Sequence, residues 1–214
     1  MVNHKRVSRI YREEQLQVRR KRRKKMAASV RIPLPAPTKA NERWSMDFVM
    51  DVTAMGRRVR ILAVVDDYTR ECLVVEVDTS IGGMRVARVL DRLAEYRGRP
   101  KGITVDNGPE FAGRALDSWA YSNKVQLNFI RPGKPVENAY IESFNGRLRD
   151  ECLNSHEFGS LGEARNIIET WRQDYNDRRP HGSLKDMTPA EFAKQETEKL
   201  QQNDPERTNL QLLQ

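Results

Sequence analysis

Three acidic residues stand where they could do chemistry together: Asp47 in "RWSMDFVMDV", Asp106 in "TVDNGPEF" and Glu142 in "PGKPVENAYIESFNGRLRDE". Carboxylates gathered at one place are the oxygen ligands that a hard cation such as Mg2+ favours, and such an ion keeps several of its own waters. No competing donor set is visible. The histidines are His4, His156 and His181, the two cysteines Cys72 and Cys152 lie 80 positions apart, and neither type has zinc-like spacing. Both cysteines read as small core residues.

Each acid needs an element to carry it. "RWSMDFVMDV" alternates, with Trp44, Met46, Phe48, Met50 and Val52 on one face and Ser45, Asp47, Val49 and Asp51 on the other. This predicts a half-buried strand whose second face bears acids. "VRILAVVDDYTR" and "ECLVVEVD" follow across short connections as two more strands, antiparallel by their spacing. A helix in "GMRVARVLDRLAEYRGRP" leads to the strand "KGITVD", where Asn107-Gly108-Pro109 forces a turn and leaves Asp106 at the carboxyl edge of the sheet. A helix through "EFAGRALDSWAYSN" and a strand "VQLNFI" come next. Pro132, Gly133 and Pro135 then interrupt any helix, and Ala139, Ile141, Phe144 and Leu148 restart one with Glu142 off its apolar stripe. "SLGEARNIIETWRQDYNDRRPH" supplies a further amphipathic helix, and beyond Lys194 no packing pattern is legible. Three strands, then helix and strand twice over, then a helix, imply an α/β fold with a mixed sheet.

Charge divides the chain. Residues 1–25 carry eleven Lys or Arg against two Glu, which exceeds the formal +8 of all 214 residues. The run Arg19, Arg20, Lys21, Arg22, Arg23, Lys24 and Lys25 is the footprint of a polyphosphate partner. No apolar face accompanies it, which disfavours an anionic membrane. The longest aliphatic run, Ile61 to Val65, is far too short to span a bilayer, and the basic N-terminus is no secretory signal, so a cytoplasmic location is expected. Residues 1–26 thus read as a basic arm, 27–42 as a proline-rich linker, 43–153 as the folded core, 154–195 as a helical extension and 196–214 as a polar tail.

W-x-x-D at Trp44 to Asp47, D-N-G-x-E-F at Asp106 to Phe111 and E-N-A-x-x-E-S-F at Glu137 to Phe144, with 35 residues between Asp106 and Glu142, strongly resemble the D-D-E transposase and retroviral integrase superfamily. Within it, the "YNDRRPHGSL" and "TPAEF" ending is similar to the integrase-like second reading frame of the IS-three family of bacterial insertion sequences. The resemblance implies a ribonuclease-H-like, five-stranded integrase core and a polynucleotidyl transferase that cleaves DNA 3′ ends and transfers strands. It assigns Asp47, Asp106 and Glu142 as catalytic metal ligands for two Mg2+ ions, with Mn2+ as a substitute and Asp47 as the bridge. Two divalent ions roughly 3.5–4 Å apart activate the attacking oxygen and relieve charge on the leaving one. It also implies DNA partners (element ends and target), a homo-oligomer on DNA, and a helix-turn-helix protein from the first reading frame, because "MVNHKRVSRIYREEQLQVRRKRRKK" matches only the end of such a segment. A plain nuclease and a non-catalytic DNA-binding fragment are the alternatives.

Neighbouring residues have more ordinary readings. Asp51 reads as a surface acid, Asp66 and Asp67 as turn residues, and Glu110 as a cap for the helix after Pro109. Asn138 caps the next helix or bonds near the site. Arg149, two turns after Glu142 and so on the same face, reads as a DNA backbone contact. His181 is left out of the site, and Gly133 reads as a hinge for Glu142.

Deleting residues 1–26 is expected to weaken binding to all DNA sequences alike. The log–log dependence of affinity on salt should flatten by about 0.9 for each phosphate that the arm neutralises in the intact chain. An unchanged slope in a salt titration would remove the arm as a DNA contact.

Overall fold

The computed structural model describes residues 4–14, 35–131 and 138–202. The basic run Arg19 to Lys25, the first half of the proline-rich linker and the segment 132–137 with its expected hinge Gly133 lie outside these residues. The chain divides into two units, 1–33 and 34–214. In the first, α1 (His4–Glu13) carries an exposed Arg9–Glu13 pair at 3.5 Å, a contact of small consequence in water.

The second unit is built on five strands, β1 (Arg43–Val52), β2 (Arg58–Asp66), β3 (Cys72–Asp78), β4 (Gly102–Val105) and β5 (Gln126–Phe129), arranged in the order β3-β2-β1-β4-β5. β1 runs antiparallel to β2 and parallel to β4, so the strand bearing Asp47 is central and adjoins the strand that delivers Asp106. Between the strands lie α2 (Gly83–Arg97) and α3 (Arg114–Asn123), followed by α4 (Ala139–Leu148), α5 (Leu161–Asp177) and α6 (Pro189–Gln202).

The sheet is covered on both faces, which corrects the half-buried strand expected for β1. Trp44, Met46, Leu62 and Val64 pack with Val86, Leu90 and Leu93 of α2 and with Leu116 and Trp119 of α3. On the opposite face Val49, Ile61, Ala63 and Val65 pack with Ile141, Phe144 and Leu148 of α4 and Ile168 and Tyr175 of α5. Alternation in β2 therefore sorts two apolar sets rather than an apolar and a polar one. Cys72 and Cys152 are buried free thiols, as expected.

Two helix boundaries differ from the sequence pattern. α3 begins at Arg114, because the turn after Asp106 closes on itself through Phe111 and Ala112 N–H groups donating to Gly108 O. α6 continues past Lys194 to Gln202, held where the Tyr68 hydroxyl donates to Glu196 at 2.8 Å and the Tyr68 and Phe192 rings meet at 5.4 Å. Those contacts are long-range and leave no periodic signal.

Phe144 fixes the helix that carries Glu142. Its ring meets Tyr175 edge-on at 5.0 Å and Trp171 at 5.6 Å, so α4 is anchored to α5 as well as to the sheet. Phe144→Ala is expected to lower stability by about 3–5 kcal/mol in a denaturant titration, with Phe144→Leu costing much less.

Candidate active site

Asp47 lies on the α4 side of β1, directly opposite Ala63 of β2. A methyl is the smallest side chain that could face it across the strands, and this leaves room above the carboxylate. One Asp47 oxygen, Oδ1, accepts the Phe48 N–H at 2.7 Å, and Oδ2 accepts Asn145 Nδ2 at 2.9 Å. Sequence reasoning misses Asn145. Its signal is the three-residue step from Glu142, which puts both on one face of α4.

Asp106 follows β4 directly, at the parallel edge beside β1. Its Oδ1 accepts the Gly108 N–H at 2.8 Å, closing the expected turn. Gly108 is required there, since a Cβ would stand 2.9 Å from Asp106 Oδ1 and would push the carboxylate aside. Glu142 is exposed on the first turn of α4.

The three acids share one electrostatic neighbourhood. Burial raises the Asp47 pKa from 3.8 to about 6, opposed by the Phe48 N–H and reinforced by the charges of Asp106 and Glu142. Yet among the described residues no three His, Cys, Asp or Glu side chains are close enough together to hold a metal ion. An all-oxygen donor set with excess negative charge fits Mg2+.

A latch joins the supports of Asp47 and Asp106. The Phe48 and Phe111 rings stack at 5.0 Å, the Arg60 guanidinium lies 3.8 Å above Phe48, and Arg60 pairs with Glu110 at 2.5 Å. Glu110 is therefore not the cap of α3, whose N-cap is Gly113; its own pKa is held low by the hydrogen bond from Arg60.

Asn138 occupies the N-cap position of α4, but its side chain makes no capping bond and its buried Oδ1 has no partner. Asp51 bonds its neighbour Val52 N–H at 2.8 Å. Asp66 and Asp67 are buried turn acids, engaged respectively by the N–H groups of Asn41, Tyr68 and Thr69 and by Arg43 at 2.5 Å. Arg149 is exposed where α4 passes into a π-helical turn, 149–153. His181 is buried against Tyr175, away from the three acids' bonds.

The central β1 carries Asp47, its parallel neighbour β4 leads directly to Asp106, and the covering helix α4 carries Glu142. The integrase core domain family matches residues 37–135 and again 123–189. The 31.7 kDa protein of insertion element IS407 from Burkholderia multivorans is 55% identical over 89% of this chain and 69% of its own length. The 39.2 kDa protein of insertion element IS476 from Xanthomonas euvesicatoria is 48% identical over 90% of this chain, which spans only 56% of that relative. The magnesium-complexed HTLV-2 integrase catalytic core, in its trimeric form, shares the fold at a TM-score of 0.59 and 16% identity, covering 73% of this chain and 98% of its own. The chain belongs to the integrase-core family, in the D-D-E transposase and integrase superfamily. Within that family it stands with the proteins of bacterial insertion elements.

Because the Asp47 pKa is raised, the folded chain holds a proton there between about pH 4 and 6 that the unfolded chain has released. Stability should therefore fall as pH rises through that window and stay reduced above it. Asp47→Asn removes the effect, and the Asn145 amide can turn over to offer its partnerless Oδ1 to the new amide. In EDTA the variant should exceed the parent by about 1–2 kcal/mol at pH 8, allowing for partial exposure, and match it near pH 4. A gap independent of pH would show that the Asp47 charge is not its source.

Proposed function

We propose that this chain is the transposase of an insertion element, cleaving DNA 3′ ends and joining them to target DNA at the Asp47–Asp106–Glu142 site. What supports this reading is the placement of the three acids on β1, at the β4 edge and on α4, with Asp47 in the field of the other two. Bound between these acids, two divalent ions would activate the attacking oxygen and neutralise the leaving one. Asp47 would bridge them, Asp106 would complete one site and Glu142 the other.

The chain's own residues do the positioning. The Asn145 amide orients the Asp47 carboxylate, the Gly108 N–H orients that of Asp106, and the Arg60–Glu110 pair holds the two supports together. In the first step water adds to the phosphorus at the element end and the P–O3′ bond breaks, leaving a free 3′-OH. In the second, that oxygen attacks a target phosphodiester, loses its proton, and displaces the target's 3′ oxygen. Arg149, on the Glu142 face, and the basic arm hold the DNA backbone. Assembly as a homo-oligomer on DNA in the bacterial cytoplasm, with a separate helix-turn-helix protein reading the element ends and with Mn2+ able to replace Mg2+, completes the proposal.

Asp47→Asn, Asp106→Asn and Glu142→Gln keep side-chain volume and remove the anionic oxygens. Each should abolish cleavage and joining together while duplex binding persists, and Asp51→Asn, four residues along the same strand face, should retain both. A labelled 3′-OH duplex incubated with Mg2+ reads the result on a gel, since joining yields products longer than the input. Shortened products without longer ones would instead identify a nuclease, and an active Asp47→Asn would overturn the site.

A further inference from the structure

α4 has a second charged flank. At about 100° per residue, Arg147 lies about 140° around the helix from Glu142, whereas Tyr140, seven residues before Arg147, lies within about 20° of it. Tyr140, Ser143 and Arg147 thus line a side of α4 turned away from the metal-site carboxylate. Arg70, from the turn between β2 and β3, lies with its guanidinium 3.9 Å above the Tyr140 ring, and Arg43 approaches the same ring at 5.7 Å. Arg179, just beyond α5, pairs with Glu151.

What distinguishes Arg70 and Arg147 is how they are held. Other half-buried arginines of this unit are matched with acids, among them Arg43 with Asp67, Arg60 with Glu110, Arg97 with Glu71 and Arg172 with Glu169. Arg70 and Arg147 have no carboxylate partner among the described residues. Arg70 donates to the Asp67 backbone carbonyl at 2.6 Å and rests on an aromatic face. Arg147 is 3.1 Å from His181 Nδ1 and donates to it, so the ring is neutral with its proton on Nε2, a buried donor without a partner. Burial and the neighbouring charges of Arg147, Arg179 and Arg70 push His181 down to about 4, so it does not become a further cation at neutral pH. A carbonyl, an aromatic ring and a neutral imidazole fix a guanidinium's orientation without cancelling its charge.

We propose that this flank, Arg70 and Arg147 with Tyr140 and Ser143, is a second DNA backbone site that binds two backbone phosphates, one at each arginine, separately from the metal-site face of α4. The inference rests on DNA being the chain's substrate. Two pre-oriented forks offer bidentate donors to phosphate, and Ser143 and the Tyr140 hydroxyl add neutral ones. A DNA strand held there would flank α4 on the side opposite Arg149.

The test is equilibrium binding of a duplex to the full chain in EDTA, followed by anisotropy over a series of salt concentrations. In the Arg70→Gln/Arg147→Gln double variant the log–log slope should fall by about 1.8 in magnitude, about 0.9 for each phosphate no longer neutralised. The Arg70→Lys/Arg147→Lys variant, which keeps both charges, should hold the parent slope. Arg147 also braces His181, so Arg70→Gln alone serves as the second variant if the double one melts early, with an expected fall of about 0.9. A parent slope in the Gln variants with the fold intact overturns the inference, including the case in which the flank serves an acidic protein instead. Because no metal is present, loss of joining activity has no bearing on this result. Failure of the parent chain to bind duplex at all would overturn both this inference and the transposase reading.

Discussion

Burial of the Asp47 carboxylate in the central strand, with two further acids nearby, is the constraint that the second unit is built around. Asp47 must remain half-buried beside two other anions, which raises its pKa and makes the site a local source of instability in the absence of a cation. Such a residue cannot sit at a yielding edge. It occupies the central strand, between an antiparallel and a parallel neighbour, with apolar side chains packed on both faces of the sheet. The packing elsewhere offsets what the acids cost.

Around that strand the supports differ in stiffness. The Phe48–Phe111 stack and the Arg60–Glu110 pair bind the β1 and β4 acids into one frame, and Gly108 lets its backbone approach Asp106 closely. Glu142 is held differently. Its helix is pinned from beneath by Ile141, Phe144 and Leu148, yet Glu142 itself stays on the exposed side. Two acids are set by a rigid frame and the third by the seating of one helix.

The cations show a complementary division. Arginines that hold the fold together are matched with acids, and their charge is consumed locally. Arg70 and Arg147 are anchored by neutral groups and keep theirs. A protein tolerates such a cluster only because the guanidiniums remain partly solvated.

Local pattern was enough to determine the element order and the five strands, and to place the three acids on their elements, because strand alternation, helix spacing and turn chemistry are properties of neighbouring residues. Asp106 before Asn107-Gly108-Pro109, and Glu142 just off an apolar stripe, were legible for that reason. The burial of both faces of β1 was not, since Val49 is covered by helices that arrive about a hundred residues later. Nor were the partners of Glu110 and Asn145, whose bonds span 50 and 98 positions. An Asp-rich strand, a Gly-Pro turn and an amphipathic helix can be recognised one by one. Which amide orients Asp47, and which arginines keep their charge, are decided only when distant segments meet, because hydrogen bonds and ion pairs depend on distance in space and carry no periodic trace along the chain.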